Sequence, residues 1–184
     1  MSGFFTYNDA VMKETASFLP SNMEQNNKLL LFGYGNPDRG DDGAAYHIFL
    51  KLFEAAGKAE EDIFSADVIN LSEGVDLIFN FQLLPEYSEL IAKYPKVIFI
   101  DAHTSEIAEE LKLQPLEPDF QHSPFTHHFS PSSCLAVAKS LVGKVPQAWL
   151  LSIRGYEFGF NRTLSEKTAQ LVEHAVDLLC SDFF

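Results

Sequence analysis

The strongest constraint in this sequence is a glycine-rich turn that joins an apolar segment to a periodic one. Residues 29–53 read LLLFGYGNPDRGDDGAAYHIFLKLF. The continuous apolar run 29–32, bounded by glycine, predicts a buried strand at the centre of a sheet. After the turn, apolar residues recur at helical spacing and predict a helix that begins near Asp41 or Asp42 and ends near Gly57. A strand, a tight turn and a helix in this order favour a parallel α/β sheet.

The same turn has the wrong charge for binding a phosphate. Gly35 and Gly40 have the spacing of a phosphate loop, but Asp41 and Asp42 stand where lysine and serine or threonine belong. Carboxylates at a helix start repel a phosphate. The dinucleotide fingerprint also fails, because its third glycine is replaced by Asp38. The turn therefore presents carboxylates for another purpose, and we expect one of the two adjacent aspartates to cap the helix and leave the other free.

Composition narrows the class of protein and its partners. A chain of 184 residues with 46% hydrophobic content predicts one domain, residues 28–184, after a polar leader at residues 1–27. The net charge of -13 argues against nucleic acid and anionic membrane surfaces as partners. No apolar window has the length of a membrane span, which predicts no membrane partner. Cys134 and Cys180 are too few for a disulfide scaffold and predict buried thiols in a reducing, cytoplasmic setting.

The remaining segments alternate between strand and helix patterns. Apolar β-forming runs predict strands at residues 75–82, 97–100 and 149–153, an edge strand at 111–117, and a strand or loop at 63–71. Helical patterns occupy residues 83–94, 130–143 and 164–179, with Ser130 or Ser132 and Ser165 as N-caps. Phe158, Phe160, Phe183 and Phe184 are expected in the core, with an exposed edge as the alternative. The order predicts a three-layer α/β/α sandwich around a mostly parallel, twisted sheet.

Polar side chains follow several of the predicted strands, where parallel sheets gather their ligands. They are Asp38, Asp41 and Asp42 after the first strand, Gln82 after the second, Asp101 and His103 after the third, and His122, His127 and His128 in the loop before the next helix. Carboxylates and imidazoles on one rim suit a divalent transition metal. For Asp101 a loop-shaping hydrogen bond and a direct chemical role both remain open.

A covalent hydrolase is the weaker interpretation of the same region. Ser132, Ser133 and Cys134 lie near the histidines, but no G-x-S-x-G elbow is present. Cys134 belongs to the apolar helical pattern, and a serine-rich helix cap accounts for the two serines.

The stretch GYGNPDRGDDGAAYHI resembles the G-x-G-N-x-x-x-x-D-[DE]-G signature of the hydrogenase maturation proteases. Four further stretches agree in order: FQLLPEYSELIAKYPKVIFIDA, THHFSPSSCLAVAKSL, PQAWLLSIRGYEFGF and LSEKTAQLVEHAVDLL. The resemblance covers roughly residues 28–180. It implies the α/β sandwich and an endopeptidase that removes the C-terminal tail of a [NiFe]-hydrogenase large-subunit precursor after nickel insertion. The same-fold alternatives are a peptidase with another protein target and a non-catalytic metal-binding assembly partner.

The resemblance also implies a metal-recognition set of Asp42, Gln82 and His127. Gln82 departs from the aspartate expected there, so Glu73 and Asp76 are the alternative carboxylates, and His128 is the alternative to His127. The metal concerned is the nickel already inserted in the precursor, and whether the protease has its own catalytic metal stays open. Asp42, Asp38 and Asp101 are the predicted catalytic carboxylates, the last two to orient a water molecule or to shape the loop.

Overall fold

The computed structural model describes residues 28–64, 68–120 and 129–184. Its six strands are β1 (Leu29–Tyr34), β2 (Ile69–Ser72), β3 (Val75–Asn80), β4 (Lys96–His103), β5 (Leu111–Leu116) and β6 (Gln147–Arg154). Its four α-helices are α1 (Ala44–Ala55), α2 (Tyr87–Ile91), α3 (Pro131–Val142) and α4 (Glu166–Asp182), and 3-10 turns span Gly40–Gly43 and Glu60–Phe64. Within these ranges, no helix combines the length and apolar character that crossing a membrane requires.

The strands form one six-stranded sheet in the order β2-β3-β1-β4-β6-β5. β1 pairs in parallel with β3 and β4, and β4 pairs in parallel with β6. The two outer strands are antiparallel to their neighbours. The mostly parallel sheet with an interior β1 is therefore confirmed, as is the edge strand at residues 111–116. The ambiguous segment near residues 63–71 ends in an edge strand, β2.

Two separate apolar cores flank the sheet, which confirms the three-layer sandwich. One core joins the first face of the sheet to α1 and α4 through side chains such as Phe49 and Val172. The other joins the opposite face to α2 and α3 through side chains such as Ile91 and Leu135. The division follows the strand period of two, because successive side chains of a strand point to opposite faces.

The helix ends follow the local signals closely, with one exception. The hydroxyl of Ser130 accepts a hydrogen bond from the Ser133 N–H, and Gly143 ends α3 in the left-handed conformation. Ser165 caps α4 in the same way. The segment 83–94, which predicts a longer helix, forms a regular α-helix only over Tyr87–Ile91. Turns on either side replace the rest: the N–H groups of Tyr87 and Ser88 at the start of the helix, and of Lys93 and Tyr94 after it, donate to the carbonyl three residues earlier.

One of the two predicted buried thiols is exposed. Cys134 is fully buried under α3, whereas Cys180 lies on the surface of α4. The buried stripe of α4 passes through Leu179, so the adjacent position points about 100° away from the core. The expectation of a buried Cys180 was therefore wrong.

The expectation of a phenylalanine core near the C-terminus was also partly wrong. Phe160 is 98% exposed in the loop between β6 and α4, and Phe184 is 51% exposed. Phe183 is partly buried and packs edge-on against Trp149, with 5.6 Å between the ring centroids. Phe158 is half-buried. The exposed-edge alternative therefore describes this group better.

Candidate functional site

The glycine turn folds back on itself so that Asp42 lies beside the carboxyl end of β1. Gly35 has φ +137°, and a Cβ at this position would lie 2.1 Å from the backbone oxygen of Asp42. Only glycine permits that approach. The Asn36 N–H donates to Oδ2 of Asp42 at 3.1 Å, which fixes the carboxylate at the sheet's rim.

The neighbouring carboxylate, Asp41, points the other way and is fully buried. Its Oδ2 accepts hydrogen bonds from the N–H groups of Tyr156 and Glu157 at 2.7 and 2.8 Å and from the Ser165 hydroxyl at 2.7 Å. Its Oδ1 accepts from the Ser165 N–H at 2.7 Å. Burial alone would raise the pKa of Asp41, but these hydrogen bonds outweigh burial and lower it. Asp41 therefore joins the turn to the start of α4.

Neither aspartate caps α1, which corrects the expectation that one of them does. The N-cap residue of α1 is Gly43, and no side chain bonds to its first turn. The turn is instead supported by the loop between β6 and α4. The backbone N–H of Gly40 donates to the backbone carbonyl of Asn161 at 2.6 Å. The backbone N–H of Asn161 donates to the backbone carbonyl of Asp38 at 3.1 Å.

Four polar residues form a line across four parallel strands at the carboxyl edge of the sheet. β1 pairs Tyr34 with Asn80 of β3, and β4 pairs Asp101 with Ser152 of β6. The β1–β4 pairing ends at Gly33 and Ile100, so its continuation places Tyr34 beside Asp101. We call Asn80, Tyr34, Asp101 and Ser152 the polar row.

The polar row faces the side of the sheet that α2 and α3 cover. Two residues earlier in each strand, the corresponding side chains belong to the apolar core on that face: Ile78, Phe32, Phe99 and Leu150. Because alternate residues of a strand share a face, the polar row continues this core to the open edge of the sheet. The row therefore lies directly beyond an apolar core, at the carboxyl edge of the sheet where ligands of parallel sheets gather.

Asp101 is the electrostatic centre of the row. Burial is the main cause that raises its pKa to about 7; the negative charge of Asp42 also raises it, and hydrogen bonds from Tyr34 and the Ala102 N–H oppose the shift. The two carboxylates are therefore close enough for their charges to interact. Burial and the charge of Asp101 also raise the pKa of Tyr34, so its hydroxyl stays protonated and can donate. A carboxyl group with a pKa near neutrality can both take up and release a proton at physiological pH.

No protein-family model matches the sequence, and no curated protein matches it significantly. Solved structures do match. The [NiFe] hydrogenase maturation protease HycI from Thermococcus kodakarensis aligns over 83% of this chain and 90% of its own, with a TM-score of 0.57 and 19% identity. The E. coli hydrogenase maturating endopeptidase HybD aligns over 83% and 89%, with a TM-score of 0.57 and 17% identity. HybD from T. kodakarensis aligns over 85% and 99%, with a TM-score of 0.59 and 15% identity.

The chain has the fold of the hydrogenase maturation proteases. The expected resemblance is thus confirmed at the level of the fold, over most of the chain. A further match, a Wolinella succinogenes protein described as uncharacterized, has a TM-score of 0.52 and 16% identity.

Within this maturation-protease fold, Asp38 lies at the outer rim of the site. Its carboxylate pairs with the guanidinium of Arg162, and its side chain is 43% exposed. Its N–H donates to the Asn36 side chain at 2.9 Å, which is an Asx turn. These contacts position Asp38 to hold the turn against the β6–α4 loop.

Gln82 lies just past β3, two residues beyond the polar row, with an exposed side chain. The alternative carboxylates lie at the opposite end of the sheet. Asp76 is near the amino end of β3, where its carboxylate accepts from Lys28, Asn70 and Tyr94. Glu73 precedes the same strand end. Neither can replace Gln82 at the carboxyl edge, which corrects that alternative.

The histidines of the predicted metal set lie outside the described residues. His122, His127 and His128 all belong to residues 121–128, directly before α3. Among the residues that the structure describes, no group of three His, Cys, Asp or Glu side chains could hold a metal ion. Of the predicted metal set, the described part of the site offers the Asp42 carboxylate and the Gln82 amide, so a cation engaged here needs further ligands from elsewhere.

Sequence reasoning placed Asp42 and Asp101 at this rim but missed Tyr34 and Ser152. Tyr34 stands between two glycines and reads as a turn residue, and Ser152 lies inside an apolar strand. The alternation of side chains along a strand could have indicated both residues. Tyr34 and Ser152 each lie two positions after an apolar residue of the core, and therefore on the face that bears Asp101.

Proposed function

We propose that this protein is an endopeptidase that removes the C-terminal tail of a [NiFe]-hydrogenase large-subunit precursor after nickel insertion. The observation that supports it best is the pair Asp42 and Asp101, brought together by the glycine turn and the end of β4 in the fold of such proteases. One carboxylate has a pKa near neutrality, and the other is held by a backbone N–H.

In this proposal, Asp42 and His127 approach the nickel held by the precursor, with Gln82 at the outer margin. Nickel here belongs to the substrate. One carboxylate, one imidazole and one neutral amide engage a cation weakly enough to release it after inspection, whereas a closed four-ligand site would retain it. A precursor without nickel would lack the ion that aligns its tail, so it would be cleaved poorly.

Asp101 is the group best suited to activate water. As a carboxylate it takes one proton from a water molecule, whose oxygen attacks the carbonyl carbon of the scissile peptide bond. The protonated Asp101 then returns the proton to the departing nitrogen as the C–N bond breaks. The products are the mature subunit with a new carboxylate and the free tail with a new amine. Tyr34 positions Asp101 by hydrogen bonding, and Asp38 holds the turn that bears Asp42.

Mass spectrometry of the precursor tests this proposal. Wild-type protein should shorten a nickel-loaded precursor by its tail and leave a nickel-free precursor at full mass. Asp42→Asn should abolish cleavage while leaving the fold unchanged. Asp177→Asn, an exposed position on α4, is the matched control and should cleave normally. Retained cleavage by the Asp42→Asn variant contradicts the assignment.

The mass of the precursor, together with a measurement of its binding, separates the proposed function from the two alternatives. A non-catalytic assembly partner, which the neutral amide of Gln82 favours, would bind the precursor and leave its mass unchanged. A peptidase with another target would leave the precursor intact and would not bind it.

A further inference from the structure

The patch next to Asp101 holds three buried polar atoms without partners. Among the residues that the structure describes, the buried side-chain nitrogen or oxygen atoms that lack a hydrogen bond are His103 Nδ1, Ser152 Oγ and Arg154 Nε. Ser152 is only 2% exposed. Buried polar atoms are normally hydrogen-bonded, so three in one place indicate groups awaiting a partner.

These three residues are neighbours on one face of the sheet. The parallel register pairs Asp101 with Ser152 and His103 with Arg154. Residues two apart on a strand share a face, so the four side chains form a square on the α2–α3 side, with His103 and Arg154 at its outer edge. One unpartnered atom, Ser152 Oγ, therefore belongs to the polar row, and the other two lie on residues two positions beyond it.

The donor and acceptor character of each atom is determined by chemistry. His103 Nε2 lies 2.9 Å from the Glu109 carbonyl oxygen, which can only accept, so Nε2 bears a hydrogen. Burial lowers the pKa of His103, and the charge of Arg154 lowers it further, so the ring is neutral. Its Nδ1 is then an acceptor, whereas the Arg154 Nε–H is a donor and the Ser152 hydroxyl can donate.

This combination selects a neutral group that both donates and accepts. A carboxylate could accept from Ser152 and Arg154, but it would set its own lone pairs against that of His103 Nδ1, and a cation would face the Arg154 guanidinium. In an extended polypeptide, the N–H and C=O of one residue point to the same side, as they do in an antiparallel ladder. Such a residue matches two donors and one acceptor.

We propose that Ser152, Arg154 and His103 form a subsite that binds the main chain of one extended residue of the polypeptide substrate. The substrate C=O accepts from Ser152 Oγ and Arg154 Nε, and its N–H donates to His103 Nδ1. Because Ser152 adjoins Asp101, the bound residue lies beside the bond to be cleaved. This inference rests on the proposed function for the identity of the polypeptide, the hydrogenase large-subunit precursor.

Steady-state kinetics with nickel-loaded precursor tests the subsite. Ser152→Ala and Arg154→Lys each remove one donor, and the second keeps the positive charge. Each should raise KM about tenfold with kcat nearly unchanged, as expected for lost ground-state binding. Ser140→Ala, whose hydroxyl bonds only within α3, is the matched control and should leave KM unchanged. An unchanged KM in both donor variants, with wild-type circular dichroism, overturns the subsite.

A second measurement does not depend on cleavage. Nitrogen-15 NMR of the free full-length protein should show His103 with its proton on Nε2 and none on Nδ1. A proton on Nδ1, or a direct hydrogen bond from Arg154 Nε to that nitrogen, overturns the proposal. If wild-type protein binds the precursor without cleaving it, the proposed function fails, and the same variants are then compared by their dissociation constants for the precursor, where equal values overturn the subsite.

Discussion

Ser165 donates two hydrogen bonds to Asp41, one from its backbone N–H and one from its hydroxyl, across 124 residues of sequence. This contact joins the first turn of α4 to the glycine turn whose next residue, Asp42, faces the site. The position of the candidate metal-facing carboxylate thus depends on a buried carboxylate that never reaches the solvent.

Asp41→Asn should lower the free energy of unfolding by about 2 to 4 kcal/mol. The amide replaces one acceptor oxygen by an N–H₂ group that faces donors, and it removes the charge that strengthens the remaining hydrogen bonds. Urea denaturation followed by circular dichroism measures the change. Asp177→Asn is the surface control and should stay within about 0.5 kcal/mol of wild type. Equal stability of the Asp41 variant and wild type would refute the anchoring role.

Acid should narrow the stability gap between wild type and Asp41→Asn. The folded pKa of Asp41 is lowered from its ordinary 3.8, so its stabilising effect is fully present above that value and is lost as pH falls through the folded pKa. Other carboxylates are common to both proteins and cancel in the difference. Urea titrations across the acid range should therefore converge below pH 3.8. A gap that stays constant down to the acid transition would count against a lowered pKa.

Tyr34→Phe should move the acid limb of the pH profile of kcat/KM to higher pH. Asp101 must be ionised to accept a proton, so wild-type activity falls as pH decreases through about 7. Removing the Tyr34 hydroxyl removes a hydrogen bond that lowers the pKa of Asp101. Tyr94→Phe is the matched control, because its hydroxyl bonds to Asp76 at the far end of the sheet. The same acid limb in all three proteins would exclude Tyr34 as a positioning residue.

Asp42→Asn should lower the pKa of Asp101, an effect that is measured without cleavage. The negative charge of Asp42 raises that pKa, so neutralising it makes ionisation of Asp101 easier. Carbon-13 NMR of the Asp101 carboxyl in the free protein follows the titration. Asp38→Asn is the comparison, because its carboxylate is already paired with Arg162 and should leave Asp101 unaffected. Identical titration of Asp101 in wild type and Asp42→Asn would show that the two carboxylates are not neighbours.

The strands and helix caps were predictable because their signals are local. Continuous apolar runs define β1 and β4, and Ser130 and Ser165 precede apolar helical patterns as capping residues do. The placement of Asp101 at the end of β4 follows from the same reasoning.

The contacts that organise the site were not predictable, because they join distant segments. The sequence predicted that Asp41 or Asp42 caps the following helix, because nothing near Asp41 in sequence indicates Tyr156 or Ser165 as its partners. Cys180 is exposed, contrary to the prediction, because only one side of α4 is buried, and a shift of one residue along a helix turns a side chain to solvent. Tyr34 was not predicted as a site residue because it stands between two glycines, which indicate a turn.

The alignment of the polar row follows from the strand register. Asn80, Tyr34, Asp101 and Ser152 come from four different strands, and the ladder hydrogen bonds of those strands place them side by side. Inserting a single residue into β4 ahead of Asp101 would rotate that carboxyl to the α1–α4 side while leaving every side chain chemically intact. The proposed reaction is therefore vulnerable to a change in backbone length that replaces none of the residues assigned to it.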